Sequence, residues 1–141
     1  MPISDEHVGR CYSPTSPYQV TKEKIAEFVA SLGDNNPAYQ GQTPIAPPTF
    51  AALIAARAWA PFFNDPELGI ALERTVHASQ SFSFTRPLRC GDEVVATLAI
   101  SKVRTRGQME LITIEVKIDT VENEHVVTAT SQLVHHRQGT K

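Results

Sequence analysis

Cysteine is scarce: Cys11 and Cys90 are the two in 141 residues, with no Cys-x-x-Cys and no Cys/His pair at zinc spacing. A disulfide framework and a structural metal therefore have poor support as the basis of the fold, and a reducing cytoplasm is the expected setting. An excess of one charge is also missing. Thirteen Lys and Arg against fifteen Asp and Glu leave a net charge of -2, and no window gathers the basic cluster that a phosphate backbone demands. Nucleic acid is not an expected partner. The longest apolar run, Phe50 to Phe63, is interrupted by Arg57 and falls short of the roughly twenty residues that span a bilayer, so no membrane partner is expected. The opening Met1-Pro2-Ile3-Ser4-Asp5-Glu6 is acidic and unlike a secretory signal. Phosphate-cradling glycine loops, Gly-x-Ser-x-Gly elbows and His-Glu-x-x-His helices are absent, and no cofactor or metal is expected.

What is present is enough for one core. Hydrophobic residues make up 41% and charged residues 20%, which suits a single domain over 1–141 with a frayed tail at about 137–141. Thr21 to Leu32 reads as a helix, with Ile25, Phe28, Val29 and Leu32 on one face. Thr21 is placed to cap it, only partially because Lys24 stands where a capping box wants Glu, and Gly33 is placed to end it. The next segment, Asp34 to Pro48, is a loop by virtue of Pro37, Gly41, Pro44 and Pro47. Thr49 to Phe63 reads as one second helix, apolar nearly all round, which must be wrapped on most sides.

Beyond it the period changes to two. Val76, Ala78, Gln80, Phe82 and Phe84 alternate with polar neighbours, and Val94–Val103, Met109–Thr120 and His125–His136 are three further strands. Short turns between long strands predict an antiparallel meander, giving an α+β fold in which a curved sheet wraps a central apolar helix.

The most informative segment is Gly33-Asp34-Asn35-Asn36-Pro37-Ala38-Tyr39. It resembles the Gly-Asp-x-Asn-Pro-x-His motif of the MaoC-like, hot-dog-fold (R)-specific hydratases and dehydratases, a family that includes FAS1-like dehydratase domains. Two further segments carry the resemblance across most of the chain. Ile45-Ala46-Pro47-Pro48-Thr49-Phe50 is similar to the family's lead-in to its central helix, and Gln80 to Asp92, containing Arg86-Pro87-Leu88-Arg89-Cys90-Gly91-Asp92, is similar to its long strand ending in Arg-Pro-Leu-x-x-Gly-Asp.

The motif departs from the catalytic pattern at one place: Tyr39 occupies the position expected to hold His. Adding or removing water across a 2,3-enoyl thioester needs a group for the C2 proton and another for the hydroxyl, with a pKa near working pH for at least one. An ordinary Tyr, with a pKa of about 10, is a poor base at neutral pH. His7, His77, His125, His135 and His136 lie at strand ends, hairpins or the N-terminal segment, positions more typical of surface residues than of a replacement base. Asp34 to Pro37 also has the composition of an ordinary turn after a helix, so the match alone does not make Asp34 functional. A thioesterase would carry an acid near the central helix, and Pro47 to Phe63 contains no Asp, Glu or His. Arg57, the helix's one charge, reads first as a residue reaching solvent along its stem, and alternatively as a contact to a carrier phosphate. Arg86, Arg89, Arg104 and Arg106 are either solvated strand ends or a small basic rim.

Within the family, the chain most resembles the HadA-type subunit of heterodimeric (3R)-hydroxyacyl-ACP dehydratases. That resemblance implies an acyl-chain-binding, non-catalytic hydro-lyase component in fatty-acid elongation, partnered by a hot-dog subunit with a complete Asp/His dyad. Acyl-ACP or acyl-CoA is the implied substrate, and a dimer or higher oligomer the implied assembly. Asp34 and Tyr39 fall at the catalytic positions; Asn36, Pro48, Thr49, Phe50, Leu53 and Trp59 are the candidate substrate contacts. Two alternatives stay open: a self-sufficient hydratase or dehydratase homodimer using Asp34, and a non-enzymatic acyl-thioester-binding protein.

Overall fold

The computed structural model describes residues 2–137, so the tail expected at 137–141 lies, from residue 138 onward, outside the described residues. Five strands form one antiparallel sheet: β1 (Tyr18–Gln19), β2 (Thr75–Phe84), β3 (Glu93–Arg106), β4 (Met109–Thr120) and β5 (His125–His136), in the spatial order β1-β3-β4-β5-β2. The meander holds for β3, β4 and β5. It fails at β2, which pairs with β5 rather than with β3, so the segment after β2 links the two flanks of the sheet.

Period-two patterning explains which face is inside. Along β4, Ile112, Ile114, Val116 and Ile118 are buried, and along β3, Val94, Ala96, Leu98 and Ile100 are. A register shift between Ile100 and Lys102 inserts Ser101, after which Val103 rather than Lys102 points inward. A second shift between His77 and Ser79 has the corresponding effect on β2: Val76 and Ala78, expected inside, are exposed, while Gln80, Phe82 and Phe84 keep the inward parity. The hairpin turns use Gly107 at φ 58° and Asn123 at φ 73°, residue types that tolerate the left-handed region.

Helix α1 (Lys22–Leu32) forms as expected, with the Thr21 side chain accepting from the Lys24 N–H at 3.1 Å and Gly33 at φ 66° closing it. The expected second helix is instead three pieces: a 3-10 turn at Pro48–Phe50, α2 (Ala51–Ala56) and α3 (Trp59–Phe63). Pro61 accounts for the break. It has no N–H to give the Arg57 carbonyl, and its ring crowds that carbonyl, so the chain leaves helical register at Arg57 and Ala58.

Of these pieces, α2 lies across β3, β4 and β5. Phe50, Ala51, Ile54, Ala55, Ala58 and Phe62 are buried with the inner faces of the strands. Wrapping on most sides is not achieved within one chain, because Leu53 is 48% exposed and Ala56, Arg57, Ala60 and Pro61 also face outward. The β3 flank is covered by the N-terminal segment, whose Gly9, Tyr12 and Thr15 N–H groups donate to Ile100, Leu98 and Ala96 carbonyls. The β2 flank ends the sheet.

Candidate functional site

The loop after α1 is built from its own polar side chains. Asp34 Oδ1 accepts from the Asn36 N–H at 2.9 Å, and Asn36 Oδ1 accepts from the Ala38 N–H at 3.0 Å, capping a 3-10 turn over Pro37–Tyr39. Both motif residues thus shape the turn that presents Tyr39. The Tyr39 ring is half-buried against the core. The loop is stitched down by Ile45 N–H to Ala38 O, Ala46 N–H to Leu88 O and Cys90 N–H to Pro44 O, which draws Asp34–Pro48 and the segment after β2 together.

Two open clefts flank this turn. One, about 380 Å³, lies between α1 and the loop and is lined by Lys22, Ala26, Val29, Ala30, Asp34, Asn35, Tyr39, Gln40 and Gly41. The other, about 420 Å³, is the more apolar of the two mainly apolar clefts and is lined by Tyr39, Ile45, Ala46, Pro48, Phe84, Thr85, Arg86 and Pro87. Each is of a size that takes a small organic ligand. Asp34 and Tyr39 therefore share one cleft, Tyr39 and Pro48 the other. Asn36 and the exposed Thr49 line neither. Phe50 is fully buried, with Phe28 edge-on at 5.5 Å, and belongs to the core. Leu53 faces outward, and Trp59 stacks with Phe63 and His77, at centroid distances of 6.0 and 5.2 Å, away from both clefts.

The four arginines do not make a rim. Arg86 donates from Nη1 and Nη2 to Asp92 at 2.9 and 3.0 Å and from Nε to Glu124 at 2.9 Å, so its charge is spent within the fold. Burial pushes the Asp92 carboxyl up, but the Arg86 hydrogen bonds, the Arg89 N–H and the arginine charges outweigh it and hold Asp92 below the ordinary value. Arg104 and Arg106 sit at the opposite end of β3 from Asp92. Arg57 lies over the Tyr18 ring at 5.1 Å, anchoring the helix break to β1.

None of the five histidines lines either cleft. His7 accepts from the Ser4 N–H in a capping box, and His77 bonds Gln80 at 3.0 Å. His125 lies 2.6 Å from Asp119 and 3.1 Å from Thr128 on a half-exposed hairpin. His135 is the surprise: it is 1% exposed, and its Nδ1 is 2.8 Å from Oε1 of the equally buried Glu110. Strand parity carried that signal, because Glu110 and His135 are both inward positions and are register partners across β4 and β5. Among the described residues, no three His, Cys, Asp or Glu side chains converge as a metal site, and no helix is long and apolar enough to cross a membrane.

The FAS1-like dehydratase domain region family matches residues 6–129. The chain belongs to this family. A UPF0336 protein of Cutibacterium acnes is 53% identical over 137 residues, covering 97% of this chain and 96% of that protein. The C-terminally truncated HadBC (3R-hydroxyacyl-ACP dehydratase) complex of Mycobacterium tuberculosis superposes with a TM-score of 0.81 at 23% identity, covering 91% of this chain and 96% of that one. A MaoC-like dehydratase superposes with a TM-score of 0.82 at 23% identity over 93% of this chain and 42% of that one. At such identities these neighbours show the hot-dog fold. The FAS1-like dehydratase domain seen here carries that fold with Tyr39 at its motif turn.

Proposed function

We propose that this chain is the acyl-chain-binding, non-catalytic subunit of a heterodimeric (3R)-3-hydroxyacyl-thioester dehydratase of fatty-acid elongation, of the HadA type. The observation that carries the reading is Tyr39, which replaces the motif's His on an otherwise intact Asp34–Pro37 turn and lines both clefts. Without the motif's His the turn lacks one of the two groups that the proton transfers of hydration need, while the more apolar cleft beside it suits an acyl tail. Asp34, tied to the Asn36 N–H, serves the turn.

A catalytic partner with a complete Asp/His dyad supplies the chemistry, and a second hot-dog domain fits what one chain leaves uncovered. The unpaired side of β2 and the outward Leu53 face of α2 need a cover, and the HadBC neighbour is itself a complex of hot-dog subunits. The substrate is an acyl-ACP or acyl-CoA, and the setting is the cytoplasm. One observation favours a second reading, a self-sufficient hydratase: Asp34 and Tyr39 share a cleft.

One assay separates the two: hydration of a trans-2-enoyl thioester, followed by loss of the enoyl absorbance, with the chain alone and mixed with a catalytic hot-dog subunit. The expected result is no turnover alone and turnover in the mixture. Turnover by the repurified chain alone, lost in Asp34→Asn, would refute the non-catalytic role.

A further inference from the structure

We infer that the Tyr39 ring is a partition between the two clefts and sets the length of acyl chain that the apolar one accepts, an inference that rests on the acyl-thioester reading above. Tyr39 is the one residue that contributes to both linings. On one side of it the walls are Ile45, Ala46, Pro48, Phe84 and Pro87, with Thr85 and an Arg86 already paired to Asp92 and Glu124; on the other, Ala26, Val29 and Ala30 share the lining with Lys22, Asp34, Asn35 and Gln40. An alkyl tail gains from the first surface and would strand polar groups on the second, so the tail belongs in the apolar cleft with the Tyr39 ring as its end wall.

The ring is well placed for that duty. Its turn is fixed at one end by the Asn36 cap and Pro37 and just beyond it by the Ile45 N–H to Ala38 O bond at 3.0 Å. Among the described residues no side-chain hydrogen bond engages the Tyr39 hydroxyl, so the ring's volume rather than its polar tip is what separates the clefts. Truncating the side chain joins two spaces of about 420 and 380 Å³ into one channel.

The test is a series of saturated acyl thioesters of increasing length, bound to the full-length chain and again with the catalytic subunit added, for the wild type, Tyr39→Phe, Tyr39→Leu and Tyr39→Ala. Burial of each methylene corresponds to about fourfold in Kd. Wild-type affinity rises by about that factor per methylene and then levels off where the tail meets the ring. Tyr39→Phe keeps the same plateau, whereas Tyr39→Leu and Tyr39→Ala shift it to longer chains. Tyr39→Leu keeps the test decisive if the alanine variant does not fold. CoA and ACP thioesters share the tail, so the plateau falls at one length on both, and an offset in affinity between them identifies the preferred carrier. An unmoved plateau in the folded truncation variants, or its loss in Tyr39→Phe, overturns the partition while leaving the subunit role standing. No binding of any chain length, with or without the catalytic subunit, overturns the acyl-thioester reading itself.

Discussion

Replacing Glu110 by alanine should destabilise the fold by about 2 kcal/mol, and the value follows from how its two oxygens are used. The Ala71 N–H donates to His135 Nε2 at 3.0 Å, and a backbone N–H can only donate, so Nε2 is the acceptor and the ring proton sits on Nδ1. That proton points at Glu110 Oε1, 2.8 Å away, with both side chains 1% exposed. Deleting the carboxylate leaves a buried N–H without a partner, a loss of about 1–3 kcal/mol. Glu110 Oε2, however, has no hydrogen-bond partner among the described residues and is 4.0 Å from Arg137 Nε, so its removal relieves a desolvation cost. The net therefore falls below the roughly 3–5 kcal/mol of breaking a fully satisfied buried ion pair. Glu110→Gln keeps the acceptor and should cost less than about 1 kcal/mol. Urea unfolding gives the stabilities, and amide exchange at Ala71 supplies an independent reading. Without Glu110 the ring proton is free to move to Nε2, so the Ala71 amide should exchange faster in Glu110→Ala and stay protected in Glu110→Gln. Equal stability of Glu110→Ala and wild type, with Ala71 still protected, would refute the assigned tautomer and the role of the pair.

Three other outcomes are expected. Asp92 and Asp65 are both held below the ordinary carboxylate value, Asp65 chiefly by the Tyr12 hydroxyl at 2.6 Å and against its own burial, with Arg10 and the Glu67 N–H adding to the effect. A lowered folded value means the stabilisation is complete above about pH 4 and is lost as pH falls through the folded value, so Asp92→Asn should cost about 1–3 kcal/mol at pH 7 and flatten the acid limb of a stability-against-pH curve. Gly33→Ala, at φ 66°, should lose about 1–2 kcal/mol in urea unfolding, because a Cβ is disfavoured there even though no atom lies within 4 Å of it. Leu53→Glu should leave the circular dichroism of the chain unchanged and weaken association with a catalytic subunit at least about tenfold in sedimentation, since it places a charge on the outward face of α2.

Much of the fold was legible because it rests on short-range rules. The Thr21 and Gly33 caps, the period of two from Met109 to Ile118 and from Val127 to His136, and the turn chemistry at Asn123 are local, and the strands end where those residues place them. The division of the central helix has a local cause as well, Pro61, which stands four residues after the Arg57 carbonyl it crowds. The three register shifts, at His77/Ser79, Ile100/Lys102 and Ile118/Asp119, were not legible, because an extra residue on one strand has meaning only against its partner strand.

By itself, the sequence determined the hot-dog family, through the Asp34–Pro37 turn, the Ile45–Phe50 lead-in and the Arg86–Asp92 strand end, and it determined that the motif lacks its histidine. The tertiary structure decided the rest. Which side of β5 receives β2, which arginines are consumed in ion pairs, that Phe50 is core while Tyr39 stands between two clefts, and that His135 meets Glu110 are long-range matters. Caps and periodicity act over a few residues of chain, whereas a cleft or a buried pair exists only once strands far apart in sequence are brought into register.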